Sequence, residues 1–190
     1  GYFIAPYTVG NYLASNKLAP VQTSDEAFRG TLAEVTSRND RLMRNKSGTS
    51  ALEFHRRLGK IMWDNCGMAR NEEGLKQAVQ EVRSLREAFW NEVFVPGGQG
   101  NMNSELEQAG RVADFMELAE LMCTDALERR ESCGGHFREE FQTDEGEAKR
   151  DDKNFCYAAA WEYQGDAKPA VKHQEPLVFE NVHLAERNYK

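Results

Sequence analysis

Apolar residues recur three and four positions apart through most of the first 135 residues, and each run opens on a capping signal. The first run carries Phe28, Leu32, Val35 and Leu42 behind the sequence Thr23-Ser-Asp-Glu26. That spacing is a capping box, in which Ser/Thr and Glu side chains satisfy each other's orphan backbone donors. It predicts a helix from about Ser24 to Asn45, closed at the turn "NKSGTS" and partly exposed because its stripe is thin. A second box, Ser50-Ala-Leu-Glu53, opens a helix over Leu52, Leu58, Ile61 and Met62. It should end near Cys66, with Gly67 taking a left-handed cap.

The third helix starts at Asn71, with Glu72 and Glu73 where the helix dipole favours negative charge. Its stripe is Leu75, Val79, Val82, Leu85 or Arg86, Phe89 and Val93, and Pro96-Gly97-Gly98 stops it. The fourth follows Ser104-Glu-Leu-Glu107 with Leu106, Ala109, Val112, Phe115 or Met116, Ala119, Met122 and Ala126. It is expected to run to Gly134-Gly135. Short connections between long amphipathic helices make antiparallel neighbours. The predicted fold is mainly α: an antiparallel three-helix bundle, spectrin-repeat-like, preceded by an extra helix, the whole spanning 23–135. A stripe of this kind also suits an intermolecular coiled coil, but the tight loops favour packing within the chain.

Beyond Gly135 the periodicity is lost. Residues 136–190 read as a charged loop, then two β-prone runs, "FCYAAAWEYQ" and "AVKHQEPLVFENV", on either side of a Gly165-Asp166 turn, and a tail. A lone two-stranded β-ribbon is marginal in water, so it must lie on the bundle or on a partner.

Composition narrows the function. A net charge of −7 over 190 residues gives no basic face for phosphates, so nucleic acid is not an expected partner. No apolar run approaches the roughly 20 residues of a membrane span, so direct membrane insertion is not expected either. The opening "GYFIAPYTVGNYLASN" is apolar yet lacks the basic leader of a signal peptide; it reads as surface meant to be covered. The four cysteines, Cys66, Cys123, Cys133 and Cys156, form no C-x-x-C pair, which fits a reducing compartment.

Chemistry candidates concentrate around "ALERRESCGGHFREEF", Ala126 to Phe141. Placed on one continuous helix, Cys123 and Cys133 would stand about 15 Å apart, too far to share a metal ion. Cys133 near a helix C-terminus feels the end of the dipole that disfavours a thiolate. Ser132 and His136 lack a G-x-S-x-G elbow, and "PGGQGN" is a helix-to-helix turn and not a phosphate loop. His55, His173 and His183 read as surface or edge residues, and Trp63, Trp90 and Trp161 as core or interface. No catalytic, cofactor-binding or metal residue is assigned. What remains is a mixed-charge patch suited to docking another body: Arg130, Glu131, Ser132, His136, Arg138, Arg150, Asp151 and Asp152, flanked by Arg129, Glu139 and Glu140. Arg–carboxylate forks fix geometry where two bodies meet, and glycines let another backbone approach. The competing interpretation is a solvated charged helix end.

With these residues in view, "RRESCGGHFREE" followed by "KRDDKNF" resembles the C-terminal signature of succinate dehydrogenase and fumarate reductase flavoprotein subunits. Upstream, "FHRRLGKIMWDNCGMARNEEGLKQAVQEVRSLREAFW" is similar to the same family, with its Gly-x-x-Arg step and Leu-rich helix in order. The Cys133-Gly-Gly version, where many members have Arg-Gly-Ala, resembles the bacterial branch with a two-haem membrane anchor; it removes a fork of donors at that position. The resemblance implies that 1–22 is the tail end of a flavin-binding domain and that catalytic residues and FAD belong to parts of the parent protein N-terminal to this chain, with no cofactor in the chain itself. It implies docking on the flavin-binding and capping domains of the same polypeptide and on an iron–sulfur subunit. It also implies a cytoplasmic place peripheral to the inner membrane through partner subunits, with Glu131, His136 and Arg138 as structural dockers. A free-standing helical adaptor that binds a partner helix is the alternative.

Overall fold

The computed structural model describes residues 1–165 and 168–185, so the Asp166 half of the expected ribbon turn and the last residues of the tail lie outside the described residues. The chain divides into two compact units, 1–41 and 42–190.

The first unit holds a short helix α1 (Ile4–Tyr7), which runs into a π-helical turn at Thr8–Leu13, and most of α2 (Glu26–Leu42). Its apolar side chains find no cover within the unit: Tyr2, Phe3, Ile4, Tyr7 and Tyr12 are exposed. On α2 the stripe Phe28, Leu32 and Val35 is likewise exposed, in keeping with the thin periodicity. The helix begins at Glu26, where the Asp25 carboxylate accepts a hydrogen bond from the Gln22 amide at 3.0 Å.

The second unit is built on three antiparallel helices, α3 (Ala51–Cys66), α4 (Glu72–Glu92) and α5 (Ser104–Glu128). Caps start each one. Ser50 Oγ accepts from the Glu53 amide, and Asn71 Oδ1 from the Gly74 amide. The cap of α5 is Asn103, whose Oδ1 accepts from Glu105 and Leu106, so Ser104 is already the first helical residue. Each such cap satisfies donors that the first helical turn cannot.

The core sits where the three stripes meet. Phe54, Leu58, Val82, Leu85, Phe89, Val112 and Met116 are buried, and the Phe54 and Phe89 rings pack edge to face at 5.2 Å. A smaller cluster of Cys66, Leu75, Ala78, Cys123 and Ala126 fills the other end. Most expected stripe positions are buried, Leu58, Ala109, Val112, Ala119 and Ala126 among them, and of Phe115 and Met116 it is Met116 that faces inward. Two expected positions give way to neighbours: on α3, Leu52 is exposed while Ala51 and Phe54 are buried; on α5, Met122 is exposed while Cys123 is buried. Gly67 closes α3 at φ −75°, not in the left-handed region.

Among the described residues, two short sheets complete the unit. A parallel pair, β1 (Thr49–Ser50) with β2 (Val93–Phe94), ties the start of α3 to the end of α4. Gly48 precedes it at φ +150°, and a Cβ there would stand 2.1 Å from the Glu92 carbonyl oxygen, so only glycine fits. The expected ribbon is present as antiparallel β3 (Tyr157–Glu162) and β4 (Val171–Pro176), with Tyr157 opposite Pro176 and Glu162 opposite Val171. It lies on α5: Trp161 Nε1 donates to Asp125 Oδ1 at 2.7 Å, and Lys172 pairs with Glu128 beneath the Tyr157 and Trp161 rings. A short helix α6 (Asp152–Phe155) precedes β3.

Candidate docking site at the bundle end

Antiparallel packing brings the C-terminus of α5, the N-terminus of α4 and the C-terminus of α3 to one end of the bundle. There α5 stops at Glu128, with Arg129 leaving the helix at ψ 92°, instead of running to Gly134-Gly135. Cys133 is therefore a loop residue, and its predicted 15 Å helical separation from Cys123 does not apply. Residues 129–151 instead form an ordered loop folded back over the bundle end.

Arg138 organises this loop. Its side chain is 1% exposed and its Nη1 donates to the carbonyls of Ala126 at 2.9 Å and Leu127 at 3.2 Å. These are among the carbonyls that the last turn of a helix leaves without an intrahelical partner. The Arg138 Nε donates to Glu140 Oε2 at 3.0 Å, and the guanidinium stands 5.5 Å from the Phe141 ring centroid. The other oxygen of Glu140 accepts from the Glu72 amide at the start of α4. One Arg–Glu pair thus caps two helices at once, a cationic group on a C-terminus and an anionic group on an N-terminus, as the dipoles favour. Burial pushes the Glu140 carboxyl up, but the bonds from Glu72 and Arg138 outweigh it and hold the carboxyl below its usual range.

Ser132 and Glu131 hold the loop's other strand. Ser132 Oγ accepts from the Arg138 amide at 2.8 Å and donates to its carbonyl at 3.1 Å. Glu131, 2% exposed, accepts from Arg129 Nε and Nη2 at 2.9 and 2.8 Å through Oε1, and from the Asp151 amide at 2.8 Å through Oε2. A buried carboxylate needs this full complement of donors to be tolerated. Between them, Cys133 and His136 exchange backbone bonds across a two-residue turn, with Gly134 at φ +59°. Gly134 takes the left-handed conformation in a hairpin turn and not at a helix cap.

His136 joins the loop to the α3–α4 connection. Its Nε2 lies 2.8 Å from the Arg129 carbonyl oxygen, which can only accept, so Nε2 carries the hydrogen. Nδ1 is then an acceptor for Arg70 Nη1 at 3.1 Å. Burial lowers the His136 pKa; the Arg129 hydrogen bond opposes this, and the charges of Arg70, Arg129 and Arg138 lower it further. Arg70 also pairs through its backbone with Phe137 and Glu139, and its Nε donates to the Gly67 carbonyl. Asn71 Nδ2 donates to Glu139 Oε2 at 2.8 Å.

The eight residues singled out from sequence thus fall into groups. Glu131, Ser132 and Arg138 are buried, and His136 is half-buried among groups of this same chain. Asp151 caps α6 through the Asn154 amide, and Arg150 donates to Asp152 Oδ1 from Nε at 2.9 Å and Nη2 at 2.6 Å. Arg130 is exposed beside Glu72, whose carboxyl is held below its usual range first by Lys76 and secondarily by Arg138 and Arg130. Arg70 and Asn71 are the partners that charge clustering alone did not reveal. Arg70 is the Arg of the Gly-x-x-Arg step, the only local signal it left. Among the described residues no group of three or more His, Cys, Asp or Glu side chains is arranged to hold a metal ion.

A family model described as the fumarate reductase flavoprotein C-terminal region matches residues 55–189, and the chain belongs to that family. Relatives include the fumarate reductase flavoprotein subunit of Haemophilus influenzae, 22% identical over 95% of this chain and 29% of its own length. That of Helicobacter pylori is 26% identical over 90% of this chain and 24% of its own length. The chain therefore spans under a third of the curated relatives it matches. Among solved structures, an E. coli quinol fumarate reductase mutant superposes with a TM-score of 0.72 at 23% identity, covering 92% of this chain and 28% of that one. An adenylylsulfate reductase from Archaeoglobus fulgidus gives 0.70 at 17% identity, covering 93% and 28%. At these identities the likeness is one of fold.

Proposed function

We propose that the chain is the C-terminal docking body of a flavoprotein subunit that interconverts succinate and fumarate, with the FAD and the reacting groups carried by preceding domains. The observation that carries this reading, beside family membership, is the uncovered apolar flank of the first unit, with Tyr2 86%, Phe3 83% and Ile4 72% exposed. Water-exposed aromatic surface of that kind gains on the order of 25 cal/mol per Å² when covered, and a flavin-binding domain of the same polypeptide is the body to cover it. The bundle end supplies a second, rigid contact: Arg130, Gly134, Gly135 and Glu139 are exposed on a loop whose interior is fixed by Arg138, Ser132 and Glu131. The buried three act by holding that surface, with Arg150, Asp151 and Asp152 extending it toward the capping domain or an iron–sulfur subunit. Electrons would leave through such a subunit toward quinone. No helix among the described residues is long and apolar enough to cross a membrane, so attachment to the inner membrane on its cytoplasmic side would run through partner subunits. The test is an assay of the purified 190-residue chain beside the longer protein. The longer protein is expected to bind flavin and turn over succinate with a dye acceptor, and the chain alone to do neither; flavin or turnover in the chain alone overturns the reading.

A second reading, a free-standing adaptor for a partner helix, is favoured by the exposed stripe Phe115, Leu118 and Met122 on α5. Stable capture of a partner unrelated to any flavoprotein, competed by substituting that stripe with Ser, would select it.

A further inference from the structure

The loop at the bundle end is held to the rest of its unit by two separate sets of contacts. Arg138 and Glu140 tie it to α5 and α4, braced from within by Ser132 and Glu131. The Glu140 carboxyl is held below its usual range, so this half keeps its charges where histidine titrates. The other half is the Cys133–His136 turn and its seam with the α3–α4 connection. In that seam the Arg70 amide donates to the Phe137 carbonyl at 3.1 Å, and the Glu139 amide to the Arg70 carbonyl at 2.8 Å. The His136 ring closes it.

We propose that His136 is a proton-operated latch: a proton on Nδ1 opens the seam between the loop and Arg70, while the Arg138 half stays closed. The geometry carries this. The Arg129 carbonyl at 2.8 Å fixes the hydrogen on Nε2, so the neutral ring offers its Nδ1 lone pair to Arg70 Nη1 at 3.1 Å. A second proton removes that lone pair. It sets one N–H donor against another and places a new positive charge at hydrogen-bond distance from a guanidinium.

The surroundings of the ring oppose that charge. Three cations face it: Arg70 from the α3–α4 connection, Arg129 from the end of α5 and Arg138 from the loop. The carboxylates of the cluster are already engaged. Glu131 accepts from Arg129 and the Asp151 amide, Glu139 from Asn71, and Glu140 from Arg138 and the Glu72 amide. On α4 the Glu72 carboxylate pairs with Lys76. Cys133 meets His136 through backbone bonds, and Cys66 of α3 lies within range of the Arg70 charge. The ring itself is half-buried, so solvent protons reach it.

Burial lowers the His136 pKa, the Arg129 hydrogen bond opposes this, and the three cations add to the lowering. The closed seam therefore belongs to the neutral ring. It is complete above the ordinary histidine value of about 6.5 and opens as pH falls below it. A ring freed by opening titrates at the ordinary value, so the open fraction should rise about tenfold between about pH 7.5 and about pH 5.5. The exposed Gly134-Gly135 turn rides on this seam, so acid would loosen a face that the docking reading gives to another body. That consequence rests on the docking reading; the latch does not.

The test is amide hydrogen–deuterium exchange on the full-length protein at those two pH values, resolved to single residues and corrected for intrinsic rates. The Arg70 and Glu139 amides are expected to exchange about tenfold faster in acid. The Ser132, Arg138 and Lys149 amides, bonded within the other half, should keep their rates. His136→Gln supplies a donor and an acceptor that do not titrate in this range, and should abolish the rise. Cys66→Ala should preserve it, which separates the ring from the thiol near Arg70. Unchanged Arg70 and Glu139 rates in the wild type overturn the proposal without any variant having to fold. So does a rise that survives His136→Gln, or one shared equally by Ser132, Arg138 and Lys149. Failure of the docking reading alone would leave this pH response in place.

Discussion

Arg138 Nη1 donates to the Ala126 carbonyl at 2.9 Å, so a residue beyond the end of α5 closes the helix that precedes it. Replacing Arg138 by Met keeps much of the volume but strands buried helix carbonyls and the Glu140 carboxylate. Each unmet group costs about 1–3 kcal/mol, so a loss on the order of 3 kcal/mol in urea unfolding is expected. Lysine is expected to recover only part of it, because a single ammonium cannot reproduce the planar fork. An unchanged unfolding midpoint for Arg138→Met would show that the loop does not cap α5.

His136 gives the bundle end a pH signature. Its pKa is lowered on folding, so the unfolded chain binds the proton more readily, and the neutral, Nε2-protonated ring belongs to the folded state. Its contribution to stability is therefore complete above the ordinary histidine value of about 6.5 and is lost as pH falls from there toward the lowered value. Thermal unfolding should weaken over that window in the wild type, and His136→Asn should flatten that part of the curve. An NMR titration placing the His136 midpoint at or above the ordinary value would contradict the tautomer and its Arg70 partner.

Gly134 lies at φ +59° with open space around the position where a Cβ would stand, so only backbone strain opposes substitution. Gly134→Ala should cost roughly 1–2 kcal/mol, and Gly134→Val more, because a β-branched side chain is worst in the left-handed region. The loss should appear as faster amide exchange at Cys133 and His136, with α5 unaffected. Exchange loosened first along α5 would mean that the turn is part of the helix end after all.

Trp161 and Asp125 hold the ribbon to α5 through one hydrogen bond of 2.7 Å. Trp161→Phe should remove about 1 kcal/mol from the ribbon's attachment and raise exchange across Tyr157–Glu162. The bundle's unfolding midpoint should stay nearly constant. A drop in global stability equal to the local one would make ribbon and bundle a single cooperative unit.

The helices and the ribbon were legible in the sequence because period and caps are local signals. Their phase was less so: Phe115-Met116 and Met122-Cys123 are adjacent apolar pairs, and a period of 3.6 admits either member of each. The end of α5 was misplaced for a different reason. No local stop signal marks Glu128; the stop is Arg138 returning from the far side of a loop, so the Gly134-Gly135 pair was the first visible boundary. The charged cluster was recognisable, yet its internal wiring was not. Arg70 meets His136 from 66 positions away, and nothing in the composition around either residue announces the pairing.

Hydrogen–deuterium exchange, comparing the 190-residue chain with the longer protein that contains the flavin region, tests docking most directly. In the longer protein, strong added protection is expected across 2–13 and at the 133–136 turn, with the bundle core at Phe54, Phe89 and Met116 unchanged. Equal exchange of both segments in the two proteins would mean that nothing covers them, and the chain would not be a docking body.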